Sequence, residues 1–173
     1  MNLIETQRLS LRRLGPHDAS FMLELLNQPT FIQYIGDKGV RNLADARDYL
    51  EKGPIASYQR HGFGLYLTSL LGSGTPIGIC GLVKRDGLPD VDVGFALMPQ
   101  YAGFGYATES AAAVLAYGRR EFRLERIVGI TSLDNHGSIA VLEKIGLRFE
   151  RIVRLDGKNE DVKLFGPAGG AGN

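Results

Sequence analysis

The feature that most constrains this chain is residues 100–108, a stretch with two glycines between a predicted strand and a predicted helix. Residues 91–98 before it alternate in polarity and end at a proline, and residues 109–117 after it are rich in good helix formers. Gly103 and Gly105 have no Cβ, so the backbone can turn tightly there and approach a ligand closely. The first turn of a helix offers unpaired N–H groups and the positive end of the helix dipole. This order of elements predicts a cradle for a pyrophosphate group.

The composition is typical of a soluble globular protein of one domain. The chain has 173 residues, of which 44% are hydrophobic and 23% are charged, and this length is enough for a sizeable core. We assign residues 1–167 to a single domain. The glycine-rich residues 168–173 have nothing to pack, so we expect a disordered tail there.

Charge and residue usage exclude several classes of function. A net charge of +1 gives no general attraction to nucleic acid or to a membrane surface, so we expect neither as a partner. The sequence shows no secretory signal and no apolar run of membrane length, which predicts a cytoplasmic protein. His17, His61 and His136 lack the spacing of metal ligands, so no metal site is predicted. The single cysteine, Cys80, lies in an apolar run and is interpreted as a buried hydrophobe.

The remaining pattern predicts an α+β fold in which the first half of the sheet is an antiparallel meander. Turns rich in Gly, Pro and Asp separate short apolar runs, which is typical of hairpins. The predicted strands are residues 9–12, 64–71, 77–83, 91–98, 126–132, 148–155 and 161–165. The predicted helices are residues 19–27, 43–59 with a kink or break at Gly53-Pro54, 103–120 and 137–145, and residues 31–40 are expected to be irregular.

Two alternatives to the cradle come from the glycine pattern itself. A dinucleotide-binding fingerprint requires a third glycine at position 108, where this chain has Thr108. It also requires parallel βαβ units, whereas the strand before the turn ends an antiparallel meander. The nicotinamide-dependent oxidoreductase class is therefore disfavoured. A helix start that carries glycines without binding a ligand is the other alternative.

In combination, the motifs resemble those of the GNAT superfamily of N-acetyltransferases. Gln100-x-x-Gly103-x-Gly105, placed between strand and helix, resembles the acyl-coenzyme A signature of that superfamily. Further stretches resemble its ribosomal-protein-alanine N-acetyltransferase branch: residues 5–12, 105–109, 135–138, 143–147 and 157–161. The resemblance implies a GNAT-like mixed, largely antiparallel central sheet with a splay in the middle, flanked by helices.

The resemblance also implies acetyl-CoA as the cosubstrate, with its thioester in the splay. The strand that contains Phe95 and Leu97 would hydrogen-bond the pantetheine arm, and Asn135 would bind the same arm from the neighbouring strand end, beside its ordinary role as a helix cap. The signature residue Gln100 would belong to the same site. Backbone N–H groups would hold the pyrophosphate, those of Ala102, Gly103, Phe104, Gly105, Tyr106 and Ala107.

Acetyl transfer to an amine requires a proton acceptor and a donor for the departing thiolate. Asp92 is the candidate base because it lies on the strand that leads to the splay, and a solvent-facing strand residue is the equal alternative. Asp90, in the preceding turn, is a weaker candidate. Many GNAT enzymes place a tyrosine seven residues after the asparagine, where this chain has Leu142. Ser138 is therefore the candidate acid, and a helix-capping hydroxyl is its alternative.

The turn departs from the family pattern at two positions. It has Phe104 where Arg or Lys is usual and Ala102 where Trp is common, so we expect acetyl-CoA binding to be retained but weaker. The predicted function is acetyl transfer to a primary amine of a small molecule or a peptide N-terminus. An acyl-CoA-binding sensor or scaffold with little catalysis is the alternative, and a homodimer formed through exposed sheet edges is an expected assembly.

Overall fold

The computed structural model describes residues 1–155, 157 and 159–169. Its strands are β1 (Ile4–Glu5), β2 (Leu9–Arg13), β3 (Leu65–Leu70), β4 (Pro76–Val83), β5 (Val91–Leu97), β6 (Ile127–Ser132), β7 (Leu147–Arg154) and β8 (Asp161–Pro167). Its α-helices are α1 (Ala19–Leu26), α2 (Pro29–Tyr34), α3 (Leu43–Leu50), α4 (Ala56–His61), α5 (Tyr106–Phe122) and α6 (His136–Lys144). Of the tail expected to be disordered, residues 170–173 lie outside the described part of the chain.

The eight strands form one sheet in the order β1-β2-β3-β4-β5-β6-β8-β7. Every neighbouring pair is antiparallel except β5 and β6, which run parallel. Helices flank this sheet, and the predicted mixed, largely antiparallel architecture is confirmed. Among the described residues, none of the helices has the length and apolar character that a membrane span needs.

The sheet opens between its two central strands. β5 and β6 pair only at Val91 with Ile127 and at Asp92 with Val128, although β5 remains paired with β4 as far as Leu97. Beyond Asp92 the two parallel strands therefore diverge and leave a wedge-shaped gap. This gap is the splay that the family resemblance implies.

The two sheet faces carry separate parts of the core because side chains alternate along a strand. Val91, Val93 and Phe95 face α5 and belong to the larger hydrophobic cluster. Ala96, two pleats beyond Asp92 on the other face, belongs to the cluster formed with α1, α2 and α3. The Asp92 side chain therefore points towards the helices of the first third of the chain.

An ion-pair cluster joins the strands at the closed end of the splay. Arg126, just before β6, donates to both carboxylate oxygens of Glu150 on β7 at 2.9 and 2.5 Å and to Asp90 at 3.0 Å. Asp90 immediately precedes β5. This arginine thus connects β5, β6 and β7 where β5 and β6 have only two paired positions.

Two local expectations need correction or refinement. Part of residues 31–40, expected to be irregular, belongs to helix α2, because a proline at the first helical position is already in a helical φ and Phe31 is buried. The expected break at Gly53-Pro54 is a π-helical turn, Glu51–Ile55, which connects α3 to α4 without ending the helix. A π-turn accommodates Pro54 because it shifts the hydrogen-bonding pattern locally.

Candidate acyl-transfer site

Two adjoining cavities meet at the splay. The turn cavity, about 530 Å³, is lined by the end of β5, the glycine turn, the start of α5 and α6. The helical cavity, about 390 Å³, is lined by α2, α3, α4 and the facing parts of β4, β5 and β6. The residues that line both are Phe31, Tyr34, Ile35, Phe95, Ala96, Asn135 and Ser138. Two reactants, one in each cavity, would meet at this shared wall.

The glycine turn presents a row of backbone donors to the turn cavity. Gly103 and Gly105 have φ of +84° and +83°, a left-handed conformation that a residue with a Cβ adopts at a cost. The N–H groups of residues 103–108 have no acceptor within the described chain, and α5 begins inside this row at Tyr106. The geometry fits a pyrophosphate held by a helix N-terminus.

Ala102 differs from the other predicted donors. Its N–H group already donates to the carbonyl oxygen of Pro99 at 3.1 Å, although the residue lines the turn cavity. The short 3₁₀ turn Pro99–Tyr101 uses this donor to change the chain direction. The donor row therefore starts at Gly103 and not at Ala102.

The predicted residues Gln100 and Phe104 lie on the outside of the turn. Gln100 is exposed, 59% of the Phe104 side chain is exposed, and neither residue lines the turn cavity. The Phe104 ring lies beside Tyr106, with 5.9 Å between centroids. Any contribution of Phe104 to the cofactor cradle would thus come from its backbone.

A carboxylate on α5 fastens this turn to the first hairpin. Glu109 accepts hydrogen bonds from the Thr6 hydroxyl at 2.5 Å, the Arg8 backbone N–H at 2.9 Å and Arg8 Nε at 2.7 Å. Arg8 Nη1 also donates to the carbonyl oxygen of Phe104 at 2.9 Å. Burial acts to raise the pKa of Glu109, but its hydrogen bonds from Thr6 and Arg8 outweigh that effect and lower the pKa. We call Thr6, Arg8 and Glu109 the clasp.

The end of β5 exposes backbone groups to the splay. Met98 N–H donates to the carbonyl oxygen of Ile77 on the β4 side at 2.8 Å, and antiparallel pairing alternates the direction of these groups along a strand. The N–H and C=O groups of Phe95 and Leu97 therefore point away from β4, into the gap where β6 has diverged. Both residues also line the turn cavity, so the structure brings them to the predicted place.

Asp92 lies at the base of the helical cavity. Its side chain is 1% exposed and accepts a hydrogen bond from Arg85 Nε at 2.6 Å through Oδ2. Oδ1 is buried and has no hydrogen-bond partner within the part of the chain that the structure describes. Burial raises the pKa of this carboxyl, and the nearby Arg85 guanidinium acts against that shift. The solvent-facing alternative for Asp92 is wrong, because Asp92 is fully buried and Ala96, on the same face of β5, packs in the cluster formed with α1, α2 and α3.

Asn135 and Ser138 lie together at the shared wall. Asn135 Oδ1 caps α6 by accepting the Ser138 N–H at 3.2 Å, so the capping group is the asparagine side chain and not the serine hydroxyl. Leu142, in the position of the family tyrosine, is 1% exposed and packs in the core. A Cβ placed on Gly129 would lie 2.5 Å from Leu142 Cδ2. Leu142 thus packs directly against the β6 backbone, which leaves no space for a larger side chain at position 142.

Sequence reasoning missed three contributors to this region. Arg85 contacts Asp92, and Thr131, which lines the helical cavity, has a buried hydroxyl without a partner among the described residues. Arg8 belongs to a motif that was noted, but its contact with the turn spans 96 positions of sequence. No local pattern signals these roles, because the Arg85 contact depends on how the β4–β5 turn folds back and the Arg8 contact on how distant strands are placed. Within the described residues, no cluster of three or more His, Cys, Asp or Glu side chains has the arrangement of a metal site.

Comparison with known proteins assigns this architecture. Residues 8–148 match the family model of the acetyltransferase (GNAT) domain. The chain belongs to the GNAT family. This membership agrees with the splayed sheet, the left-handed glycine turn and the free row of N–H groups described above.

Similar GNAT proteins include both sequence relatives and solved structures. The N-acetyltransferase YnaD of Bacillus subtilis, itself uncharacterized, is 29% identical over 147 residues, which cover 85% of this chain and 83% of YnaD. An acetyltransferase structure from Agrobacterium tumefaciens is 25% identical, with a TM-score of 0.80 over 94% of this chain and 92% of that one. RimL, a ribosomal L7/L12 α-N-protein acetyltransferase solved with coenzyme A, has a TM-score of 0.82 at 19% identity, over 96% and 97% of the two chains.

These findings establish the class of reaction. The protein is an N-acetyltransferase, as its family and named relatives show, and the acetyl group comes from acetyl-CoA. The fold shared with RimL at 19% identity indicates architecture only.

Proposed function

We propose that the acetyl group passes directly from acetyl-CoA in the turn cavity to a primary amine in the helical cavity. The observation that carries this proposal is the shared wall at the splay, since it lets one ligand approach the other without an enzyme-bound acetyl intermediate. The amine nitrogen attacks the thioester carbonyl carbon, the C–S bond breaks and the coenzyme leaves as a thiolate. The amine loses one proton to a base, and the thiolate gains one from an acid.

Asp92 is proposed as the base. The residue lines the helical cavity, its Oδ1 has no hydrogen-bond partner among the described residues, and a raised pKa makes a carboxylate a better proton acceptor. Arg85 holds the other oxygen, which orients the carboxylate. Ser138 is proposed as the acid because it lies at the shared wall, near the point where the sulfur would leave.

The cofactor side of the proposal rests on the donors of residues 103–107, the free edge of β5 at Phe95 and Leu97, and the Asn135 amide. Asn135 Oδ1 serves the cap of α6, which leaves Nδ2 for the pantetheine arm. Melting curves test this part with acetyl-CoA, coenzyme A and NADH as separate ligands. At a hundred times the dissociation constant, a ligand stabilises the native state by about 2.7 kcal/mol. We expect this stabilisation from acetyl-CoA and from coenzyme A, and none from NADH.

The base is tested with Asp92→Asn in a thiol-release assay. General-base assistance contributes about 10²–10⁴ in rate, so kcat should fall by that factor. In the wild type, kcat should decline on the acidic side with a midpoint above 3.8, the ordinary pKa of an Asp carboxyl, and the variant should lack this limb. Asp86→Asn, an exposed carboxylate of the same β4–β5 turn, is the matched control. An unchanged kcat and acidic limb in Asp92→Asn would exclude the base assignment.

The acid is tested with Ser138→Ala and Ser138→Thr. If the hydroxyl protonates the thiolate, kcat should fall in the alanine variant and recover in the threonine variant, with the KM for acetyl-CoA little changed. Unchanged turnover in Ser138→Ala would remove this role.

The sensor or scaffold alternative predicts a different result. Such a protein would be stabilised by acetyl-CoA but would release no thiol with any amine, whereas the GNAT assignment and the wall shared by the two cavities favour catalysis. A cytoplasmic location and a homodimer stay predictions from the sequence. The sheet edge β7, with exposed Phe149 and Ile152, is the surface we propose for pairing.

A further inference from the structure

The helical cavity is strongly biased towards positive charge. Five Lys or Arg residues line it: Lys38, Lys52, Arg60, Lys84 and Arg85. Among the lining residues that the structure describes, Asp92 is the single carboxylate, and Arg85 already neutralises it. A cleft lined by one sign of charge concentrates ligands of the opposite sign.

Only part of this charge is available to a ligand. Lys52 pairs with Asp48 at 3.1 Å on the surface, and Lys84 Nζ donates to the backbone oxygens of Leu88 and Arg85 at 2.6 and 3.1 Å. These two lysines therefore contribute little beyond their long-range field.

Two arginines have guanidinium groups that are open to an anion. Arg85 uses Nε for Asp92, and its Nη1 and Nη2 have no acceptor in the described chain. Arg60, on α4, has no carboxylate partner among the same residues. A guanidinium with two free N–H edges matches the geometry of a carboxylate or a phosphate.

Two residues that line the same cavity have buried oxygen atoms with no partner in the described chain. Asp92 Oδ1 and Thr131 Oγ1 each lie fully buried without a hydrogen bond to any residue that the structure describes, and both residues line the cavity. Such atoms are costly to bury unless a ligand satisfies them. An amine N–H group is the donor that acetyl transfer would bring to this place.

We propose that the acceptor is a primary amine that itself carries an anionic group, either a carboxylate or a phosphate. The anionic group binds Arg85 and Arg60, and the amine donates to Asp92. This inference rests on the proposed function, because it assigns the helical cavity to the acceptor. It disfavours polyamines and other polycationic acceptors, which would meet repulsion and no free carboxylate.

The experiment measures kcat/KM by thiol release for two matched sets of amines. The first set is the amides of alanyl-glutamate, alanyl-glutamine and alanyl-lysine, which share one N-terminal amine and differ in charge. The second set is β-alanine, 2-aminoethyl phosphate and ethanolamine, which separates a carboxylate from a phosphate on a small amine. Because a hydrogen bond to a charged group is strong, we expect the anionic members to exceed the neutral ones by about tenfold or more. Added salt should reduce this ratio.

Arg60→Gln tests the side chain that would make the preference. It should raise the KM of the anionic acceptor severalfold, lower the anionic-over-neutral ratio and leave the KM of acetyl-CoA unchanged. Arg47→Gln removes an exposed arginine of α3 that does not line the cavity, so it is the control and should keep the ratio.

The outcomes distinguish the inference from the proposed function. Equal or better turnover of the lysine peptide overturns the anionic acceptor and leaves acetyl transfer intact. Absence of thiol release with every amine counts against the proposed function. In that case melting curves with the N-acetylated glutamate and lysine peptides still decide the inference, since only the anionic peptide should stabilise the protein.

Discussion

Replacing Glu109 with glutamine should loosen the glycine turn and destabilise the protein. The carboxylate accepts three hydrogen bonds, from the Thr6 hydroxyl and from the backbone and side chain of Arg8. Glutamine retains one acceptor oxygen and places an NH₂ donor where a second acceptor stood, so at least one of these bonds is lost. Hydrogen bonds to charged groups contribute about 1.5–3 kcal/mol, and the partial exposure of the pair, 41% for Arg8 and 20% for Glu109, reduces that range.

We therefore expect the free energy of unfolding to fall by about 1–3 kcal/mol. At about 2–4 °C per kcal/mol for a chain of this size, Tm should fall by about 2–12 °C. Arg8 also contacts the Phe104 carbonyl oxygen, so the KM for acetyl-CoA should rise, with a smaller effect on kcat. Urea unfolding, melting curves and steady-state kinetics measure these three quantities.

The pH dependence gives an independent check on the clasp. The folded-state pKa of Glu109 lies below its ordinary value of 4.5, so the carboxylate stabilises the fold above about pH 4.5 and loses this effect as the pH falls through the folded pKa. The difference in the free energy of unfolding between wild type and Glu109→Gln should have its full size at pH 7 and be smaller at pH 4.

The matched control for the clasp is Glu121→Gln. This glutamate lies in the last turn of the same helix and pairs with Arg120 on the surface, with side chains 49% and 65% exposed. Its replacement should change the free energy of unfolding by less than about 0.5 kcal/mol. The clasp does not hold the turn if Glu109→Gln is no less stable than this control. The same conclusion follows if its difference from wild type in free energy of unfolding is as large at pH 4 as at pH 7.

Two further predictions concern the base of the splay and the core. Arg126→Gln, which removes the bonds to Asp90 and Glu150, should lower the free energy of unfolding by about 1–3 kcal/mol in urea titrations. Arg154→Gln, which breaks an exposed pair, should stay within about 0.5 kcal/mol, and equal effects would refute the cluster's role. Cys80 is fully buried, and burial raises the pKa of its thiol to about 12, so iodoacetamide at pH 8 should label it at least ~10³-fold more slowly in the native state than in urea. Rapid native labelling would contradict this burial.

The local parts of the fold were predictable because they depend on neighbouring residues. The alternation in residues 91–98, the two glycines and the helix formers after them correctly predicted strand, turn and helix. The start of α5 shifts to Tyr106, since Gly103 and Gly105 are both left-handed. Backbone N–H and C=O groups alternate in direction along a strand. Once the pairing of β5 with β4 is known, this alternation also predicts that those of Phe95 and Leu97 face the splay.

Other parts of the site depend on contacts that sequence patterns do not encode. The donor row omits Ala102 because a 3₁₀ turn uses its N–H group, and a turn of this kind is too short to be read from composition. Gln100 and Phe104 carry signature positions but lie outside the cavity. The backbone of the turn is held at the Phe104 carbonyl oxygen by Arg8, a residue almost a hundred positions away.

The sequence by itself determined the family, the order of the elements and the glycine turn, because these arise from local propensities and short motifs. Only the tertiary structure decided the state of Asp92 and the charge of the acceptor cavity. Asp92 is buried because α1–α3 cover its face of the sheet, and Arg85 meets it because the β4–β5 turn folds back beside the strand. Arg60 reaches the same cavity from α4. Burial and electrostatic fields sum over residues that are distant in sequence, and only the folded chain brings them together.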